Sequence, residues 1–207
     1  MSSGCCDDDL DVSALEGRQR RVLTAVLAIN AATFVMMVTA AQRSGSAALL
    51  SGALDNLGDA LTYALSLAVV GAAVATKARI ALFKGVMIAA ALAVAAQIVW
   101  HLLHPGVPLF ETMSVAAVIN LAANAVCLRL LWPYRDGDVN LASAWECSRN
   151  DVAEGLAVIA AAGAVWVFDS GWPDLIVAIA LLALFARSAT RVLLRAWTET
   201  KQAGYSH

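Results

Sequence analysis

Four side chains that could bind a metal ion occur in two pairs, each with a spacing of four residues. Asp55 and Asp59 form the first pair, and Cys147 and Asp151 form the second. Residues four apart lie on the same face of an α-helix, so each pair would present two ligands in one direction. Carboxylates and thiolates both coordinate zinc. The spacing therefore predicts a site of three carboxylates and one thiolate, in which a bound cation offsets the repulsion between like charges.

The segments that carry both pairs are otherwise strongly apolar. Of the 207 residues, 60% are hydrophobic and 14% are charged, whereas an average protein has about 25% charged residues. Mean hydropathy is +0.72. A helix needs roughly 20 apolar residues to cross a bilayer, and six runs meet this length: 22–41, 47–74, 80–103, 113–131, 142–167 and 173–193. A soluble all-α bundle would show polar faces on these segments, and they lack them.

We therefore predict an all-α, integral membrane protein with a six-helix transmembrane bundle over residues 22–198, between short tails at 1–21 and 199–207. With the N-terminus inside, the inner side would hold thirteen of the 14 lysine and arginine residues, and the outer loops would hold Arg43 alone. Basic residues are concentrated in cytoplasmic loops. Both termini are therefore predicted to be cytoplasmic, in the inner membrane of a bacterium. The net charge of -2 and the lack of a basic patch predict no nucleic-acid partner.

Both pairs are predicted to lie near the middle of the membrane. At the helical rise, Asp55 and Asp59 lie about 12 and 18 Å from the outer end of their segment, and Asp151 lies about 14 Å from the inner end of its own. A charge near the bilayer centre costs about 2.5–3.5 kcal/mol. No basic residue lies within the segment of Asp55 and Asp59, which favours a bound cation over a structural ion pair. Cys147 has an alternative role as a small buried apolar residue.

Other polar residues of these segments could support the site as a surrounding layer or as a proton relay. They are Asn30, Asn56, Asn120, Asn124, Asn150 and Glu154. The amides could orient the carboxylates or simply join the helices by hydrogen bonds. Glu154 could relay protons or pair with an arginine. Asn150 or a water molecule could be the fourth ligand if Cys147 does not bind the ion.

At these positions the chain resembles the cation diffusion facilitator family of metal transporters. That family carries an acid or His-x-x-x-Asp on its second helix and His-x-x-x-Asp on its fifth, and the matching positions are Asp55, Asp59, Cys147 and Asp151. The resemblance covers all six segments. It implies a homodimer that expels zinc or cadmium in exchange for protons by alternating access around a midplane site. Proton exchange is consistent with ligands that must be deprotonated to bind metal.

The chain departs from the family pattern in two ways. Most members have a cytoplasmic metal-binding domain after the sixth helix, and we expect none here because residues 199–207 are too few to form one. Cys147 stands where the family has histidine, which predicts a softer site that favours cadmium.

Two other classes of function compete with transport of zinc or cadmium. An intramembrane enzyme would need a nucleophile or a hydrolytic metal, but the sequence has no Ser-His pattern and no His-Glu-x-x-His motif. We therefore expect no enzymatic activity. A structural or assembly protein of the membrane would have no use for three carboxylates at the midplane. Transport of another divalent metal, such as cobalt, iron or manganese, stays open.

Overall fold

The computed structural model describes residues 17–68, 76–104, 106–135 and 139–187, and these residues form helices and turns without any strand. The helices are α1 (Gly17–Ser44), α2 (Ala47–Ala68), α3 (Thr76–Leu103), α4 (Phe110–Leu131), α5 (Val139–Phe168) and α6 (172–187). A short 3-10 turn, Trp132–Tyr134, follows α4. The predicted all-α fold with six helices is confirmed. Of the two predicted tails, only residues 17–21 are described, and they belong to α1.

Three helical stretches in the described ranges are long and apolar enough to cross a membrane: Gly17–Ser44, Phe110–Tyr134 and Ala144–Phe168. Helix α2 has 22 residues, but its aspartates and asparagine lower its hydropathy. The described part of α3 contains a shorter apolar stretch, Ile88–Leu103. The chain thus has the helices of a membrane protein, and the number of crossings stays a prediction.

The outward faces of the helices are also those of a protein in lipid. Helix α4 exposes Val115, Val118 and Val126, each by half or more of its surface. Soluble proteins rarely expose contiguous apolar surface of this kind. Four tryptophans lie near helix ends and are more than half exposed: Trp100, Trp132, Trp166 and Trp172. Tryptophan is enriched at the boundary between membrane and water, so these side chains are consistent with a bilayer around the helices.

Three of the connections between helices meet at one end of the molecule, which we call the Ser46 end. The backbone N–H of Leu109, before α4, donates a hydrogen bond to the carbonyl of Ser44 at 2.8 Å. A Cβ added to Gly171, before α6, would collide with the carbonyl oxygen of Gly106. Odd-numbered helices therefore run towards the Ser46 end and even-numbered helices run away from it.

Two hydrophobic clusters fill the interior. The larger cluster lies towards the Ser46 end and includes Met37, Leu54 and Val158. The smaller one lies towards the opposite end, which we call the Tyr63 end, and includes Leu23 and Tyr63. Helix α1 packs against α2 and α4, α4 packs against α5, and α2 also contacts α5. Four helices thus surround the region where one cluster gives way to the other.

Candidate metal centre

A layer of polar side chains separates the two hydrophobic clusters. It is contributed by α1, α2, α4 and α5, and we call it the polar layer; its members are Asn30, Asp55, Asn56, Asp59, Asn120, Asn124, Asp151 and Glu154. All are buried except Asp55 and Glu154, which are partly buried. Buried polar groups cost free energy unless they find partners. Ionisable residues inside a membrane helix bundle therefore indicate a functional site.

The four carboxyl groups of the polar layer form two pairs across α2 and α5. The carboxyl of Asp55 lies within hydrogen-bonding reach of Glu154, and that of Asp59 lies within hydrogen-bonding reach of Asp151. The two pairs lie about one turn apart because α2 and α5 run in opposite directions. The charged groups that act on Asp55 are themselves acidic. The structure thus concentrates negative charge between two apolar clusters.

Tyr63 on α2 and Cys147 on α5 lie one helical turn closer to the Tyr63 end than Asp59 and Asp151 do. The Tyr63 hydroxyl donates a hydrogen bond to Asp59 Oδ2 at 2.9 Å. Cys147 is buried and acts electrostatically on Tyr63. The predicted thiolate ligand is therefore buried on α5, one helical turn before Asp151. Sequence reasoning missed Tyr63, although its position four residues after Asp59 places it on the same face of α2.

Helix α4 closes another side of the site with one buried face. Asn120 Oδ1 accepts a hydrogen bond from Asn56 Nδ2 at 2.8 Å, which joins α4 to α2. Asn124 follows one turn later, and the buried thiol of Cys127 comes next and acts electrostatically with the carboxyls of Asp59 and Asp151. Sequence reasoning did not single out Cys127. Its spacing from Asn120 and Asn124 was the available signal, because residues three to four apart share a helix face.

A small cavity lies against the polar layer. Its walls are Met37, Gly52, Asp55, Asn56, Asn120, Asn124, Asp151, Glu154, Gly155 and Val158. The cavity is just large enough to hold about one water molecule. Asn124 Oδ1 and Asp55 Oδ2 are fully buried and have no hydrogen-bond partner within the described ranges. Such an oxygen costs about 1–3 kcal/mol, and a cation in the cavity would satisfy both.

Gly155 allows α4 and α5 to approach closely beside this cavity. A Cβ added to Gly155 would lie 3.3 Å from Cδ1 of Leu121 and 3.6 Å from its Cα. The second of these atoms belongs to the backbone, so a longer side chain at this position would push the two helices apart. Because Gly155 has no side chain, the part of α5 that carries Asp151 and Glu154 can pack closely against α4.

The predicted site residues separate into those that the structure brings together and those that it does not. Asp55, Asn56, Asn120, Asn124, Asp151 and Glu154 line one cavity, and Asp59 contacts Asp151 beside it. Asn30 is fully buried in α1, where its Nδ2 donates to the Val26 carbonyl at 3.0 Å. Asn150 is exposed and does not line the cavity.

No group of three or more His, Cys, Asp or Glu side chains in the described ranges is arranged to hold a metal ion in this conformation. Asp55, Asp151 and Glu154 line one cavity, but they do not form a coordination shell in this structure. The ligand set of Asp55, Asp59, Cys147 and Asp151 therefore stays a prediction.

A comparison with protein-family models finds no matching family, and a comparison with characterised proteins finds no significant relative. The fold and site of this chain define an all-α protein with helices of membrane-crossing length and a buried, carboxylate-rich layer at mid-height.

Proposed function

We propose that this protein is a divalent metal transporter of the cation diffusion facilitator type, which carries zinc or cadmium out of the cytoplasm. The observation that carries the proposal is the pairing of four carboxyl groups across α2 and α5, between two hydrophobic clusters. The paired acids would repel one another when ionised, and a divalent cation removes that repulsion while it stays bound. A purely structural protein gains nothing from such a layer.

The proposed topology has six membrane crossings with both termini in the cytoplasm of a bacterium, at its inner membrane. The alternating direction of the helices supports an even number of crossings, because three connections meet at the Ser46 end. Among the lysines and arginines of the described ranges, Arg43 alone lies at this end. Because basic residues are concentrated on the cytoplasmic side, we propose that the Ser46 end is the outer side. Arg18 and Arg21, at the start of α1, lie at the opposite end with Arg129 of α4.

Protons are the proposed coupling ion. Two carboxyl groups within hydrogen-bonding reach can share one proton, as acidic pairs in other proteins do. Metal ions bind only deprotonated ligands, so an ion that enters the polar layer releases these protons. Protons that arrive from the outer side would in turn displace the metal. This exchange, in a homodimer as the family resemblance implies, would couple metal export to proton entry.

Flux measurements in liposomes test this function. The full-length protein is reconstituted, and entry of zinc or cadmium is followed with a metal-sensitive dye inside the vesicles and a pH-sensitive dye beside it. We expect metal flux with opposite proton movement in the wild type, and none in Asp59→Asn. Glu111→Gln is the matched control, because Glu111 is an exposed acid in the first turn of α4.

Equal flux in Asp59→Asn and wild type would place the transport path elsewhere and contradict the proposal. The same assay with cobalt, iron and manganese tests the alternative substrates. If the folded protein moves none of these ions, a structural or assembly role in the membrane becomes the better explanation.

A further inference from the structure

Glu154 is the acid of the polar layer that lies outside both predicted ligand pairs. It follows Asp151 by three residues on α5, so both carboxyls point to the same side of the helix. The structure brings the Glu154 carboxyl within hydrogen-bonding reach of Asp55, on α2. All three acids line the same cavity. Glu154 therefore borders the space that could hold an ion, as the two aspartates do.

Asn124 is an independent sign that this cavity receives a cation. Its side chain is 2% exposed and lines the cavity, and its Oδ1 has no hydrogen-bond partner within the described parts of the chain. The neighbouring Asn120 differs, because its Oδ1 accepts a hydrogen bond from Asn56. A buried carbonyl oxygen without a donor is unfavourable, and amide oxygens are common ligands for cations that prefer oxygen.

We infer that Glu154 is a direct ligand of the transported cation, in a set formed by Asp55, Asp151, Glu154 and the Oδ1 of Asn124. This inference rests on the proposed transport of a divalent metal and specifies which ions the site accepts. Asp59 remains beside the set, where it contacts Asp151 and accepts the hydrogen bond from Tyr63. The carboxyls of Asp55, Asp151 and Glu154 turn towards the cavity when the ion binds.

This set changes the selectivity expected of the site. Its donors are all oxygen atoms, whereas the set with Cys147 has a thiolate. Oxygen ligands in a larger coordination sphere suit ions such as manganese, and soft thiolate ligands suit zinc and its heavier relatives. Glu154 therefore extends the range of substrates to Mn²⁺, which takes six ligands and gains more from an additional carboxylate than four-coordinate Zn²⁺ does.

Metal binding to the full-length protein in detergent tests this inference. Affinities for Mn²⁺ alone and Zn²⁺ alone are measured by calorimetry on wild type, Glu154→Gln and the exposed control Glu111→Gln. Glutamine has the shape of glutamate and keeps a hydrogen bond to Asp55. Loss of a group that only orients a metal ligand typically weakens binding about 10- to 100-fold, and loss of a direct ligand should weaken it at least as much. We expect Glu154→Gln to weaken Mn²⁺ by at least about tenfold, and to weaken Zn²⁺ several-fold less, while Glu111→Gln changes neither.

Each other outcome overturns the inference. Unchanged affinities in Glu154→Gln would remove Glu154 from the site. An equal loss for both ions would show that Glu154 acts only by positioning Asp55. If wild type binds zinc but no manganese, the oxygen-only set is wrong. Should the glutamine variant fail to fold, Glu154→Asp takes its place, because the shortened carboxylate should also weaken Mn²⁺ more than Zn²⁺.

The result that would contradict the proposed transport function differs from those that would contradict the role of Glu154. If no ion crosses the membrane of vesicles that contain the wild type, while Glu154→Gln still weakens Mn²⁺ selectively, the site binds metal without transporting it. If instead Asp59→Asn abolishes transport and Glu154→Gln leaves both affinities unchanged, transport stands and only the role of Glu154 is overturned.

Discussion

Asp174, near the start of α6, accepts a hydrogen bond from the Ser46 hydroxyl at 2.6 Å, across 128 positions of sequence. The same carboxylate accepts hydrogen bonds from the backbone N–H groups of Ala47 and Ala48 at 2.7 and 3.1 Å. These groups belong to the first turn of α2, whose N–H groups have no partners within the helix. Asp174 therefore caps α2 from another helix, and its charge is favourable at the positive end of the helix dipole.

Asp174→Asn should lower the stability of the protein by about 1–2 kcal/mol, which is typical of a lost helix cap. The amide loses the charge and one of its two acceptor atoms, so a hydrogen bond to α2 is lost as well. Thermal unfolding in detergent is the measurement. The control is Asp169→Asn, because Asp169 is exposed and its φ of 45° suits asparagine equally well. Equal unfolding temperatures for the two variants would contradict this role for the cap.

The cap also shows which features of the fold the sequence could predict. Apolar runs of membrane length predicted six helices, and the six helices observed begin and end within a few residues of the predicted bounds where both are described. The acid Asp174 could not be assigned a partner from sequence, since its partner is a helix end 126 to 128 positions away. A contact of that kind depends on how the ends of α2 and α6 meet in space.

The candidate site was predictable to a similar degree. Spacing along one helix identifies residues on a common face, which is why Asp55 and Asp59 could be grouped. Which residue of α5 meets which residue of α2 depends on the rotation and axial shift of both helices, and no periodicity specifies them. The contact of Asp55 with Glu154 was missed for this reason, and so was the electrostatic interaction of Cys147 with Tyr63.

Tyr63→Phe should weaken zinc binding about tenfold, the lower end of the effect expected for a group that orients a metal ligand. Tyr63 is 2% exposed, and phenylalanine fills the same volume, so the fold should be retained. The lost hydroxyl is the donor that holds Asp59 Oδ2 at 2.9 Å. Calorimetric titration of the detergent-solubilised protein measures the affinity. Tyr134→Phe, at the end of α4, is the control, and an equal effect of both changes would remove Tyr63 from the site.

Gly155→Leu should destabilise the protein by about 1–3 kcal/mol, the usual cost of overpacking. The new side chain would meet Leu121, whose Cα lies 3.6 Å from the position of a Cβ on Gly155. Gly163→Leu is the matched control on the same helix, since a Cβ there meets nothing within 4 Å. We expect a lower unfolding temperature for the first variant alone. Because α4 and α5 would separate beside the cavity, transport should also fall in that variant, and normal transport would contradict the close packing.

Substitution of Cys147 tests whether the thiol sets the choice of metal. A soft thiolate ligand favours cadmium over zinc more than an imidazole ligand does. Cys147→His should therefore lower the ratio of cadmium to zinc transport. Cys147→Ser should weaken transport of both ions. Cys127→Ser is the control, because that thiol is also buried beside the acids but belongs to α4. Competition between the two metals in proteoliposomes gives the ratio directly. Cys147 is buried and precedes Asp151 by one turn of α5, so the two possible results have different meanings. A lower ratio would mean that the ion reaches the level of the thiol during transport. An unchanged ratio in Cys147→His would mean that the ion is held by the carboxyls of α2 and α5 alone.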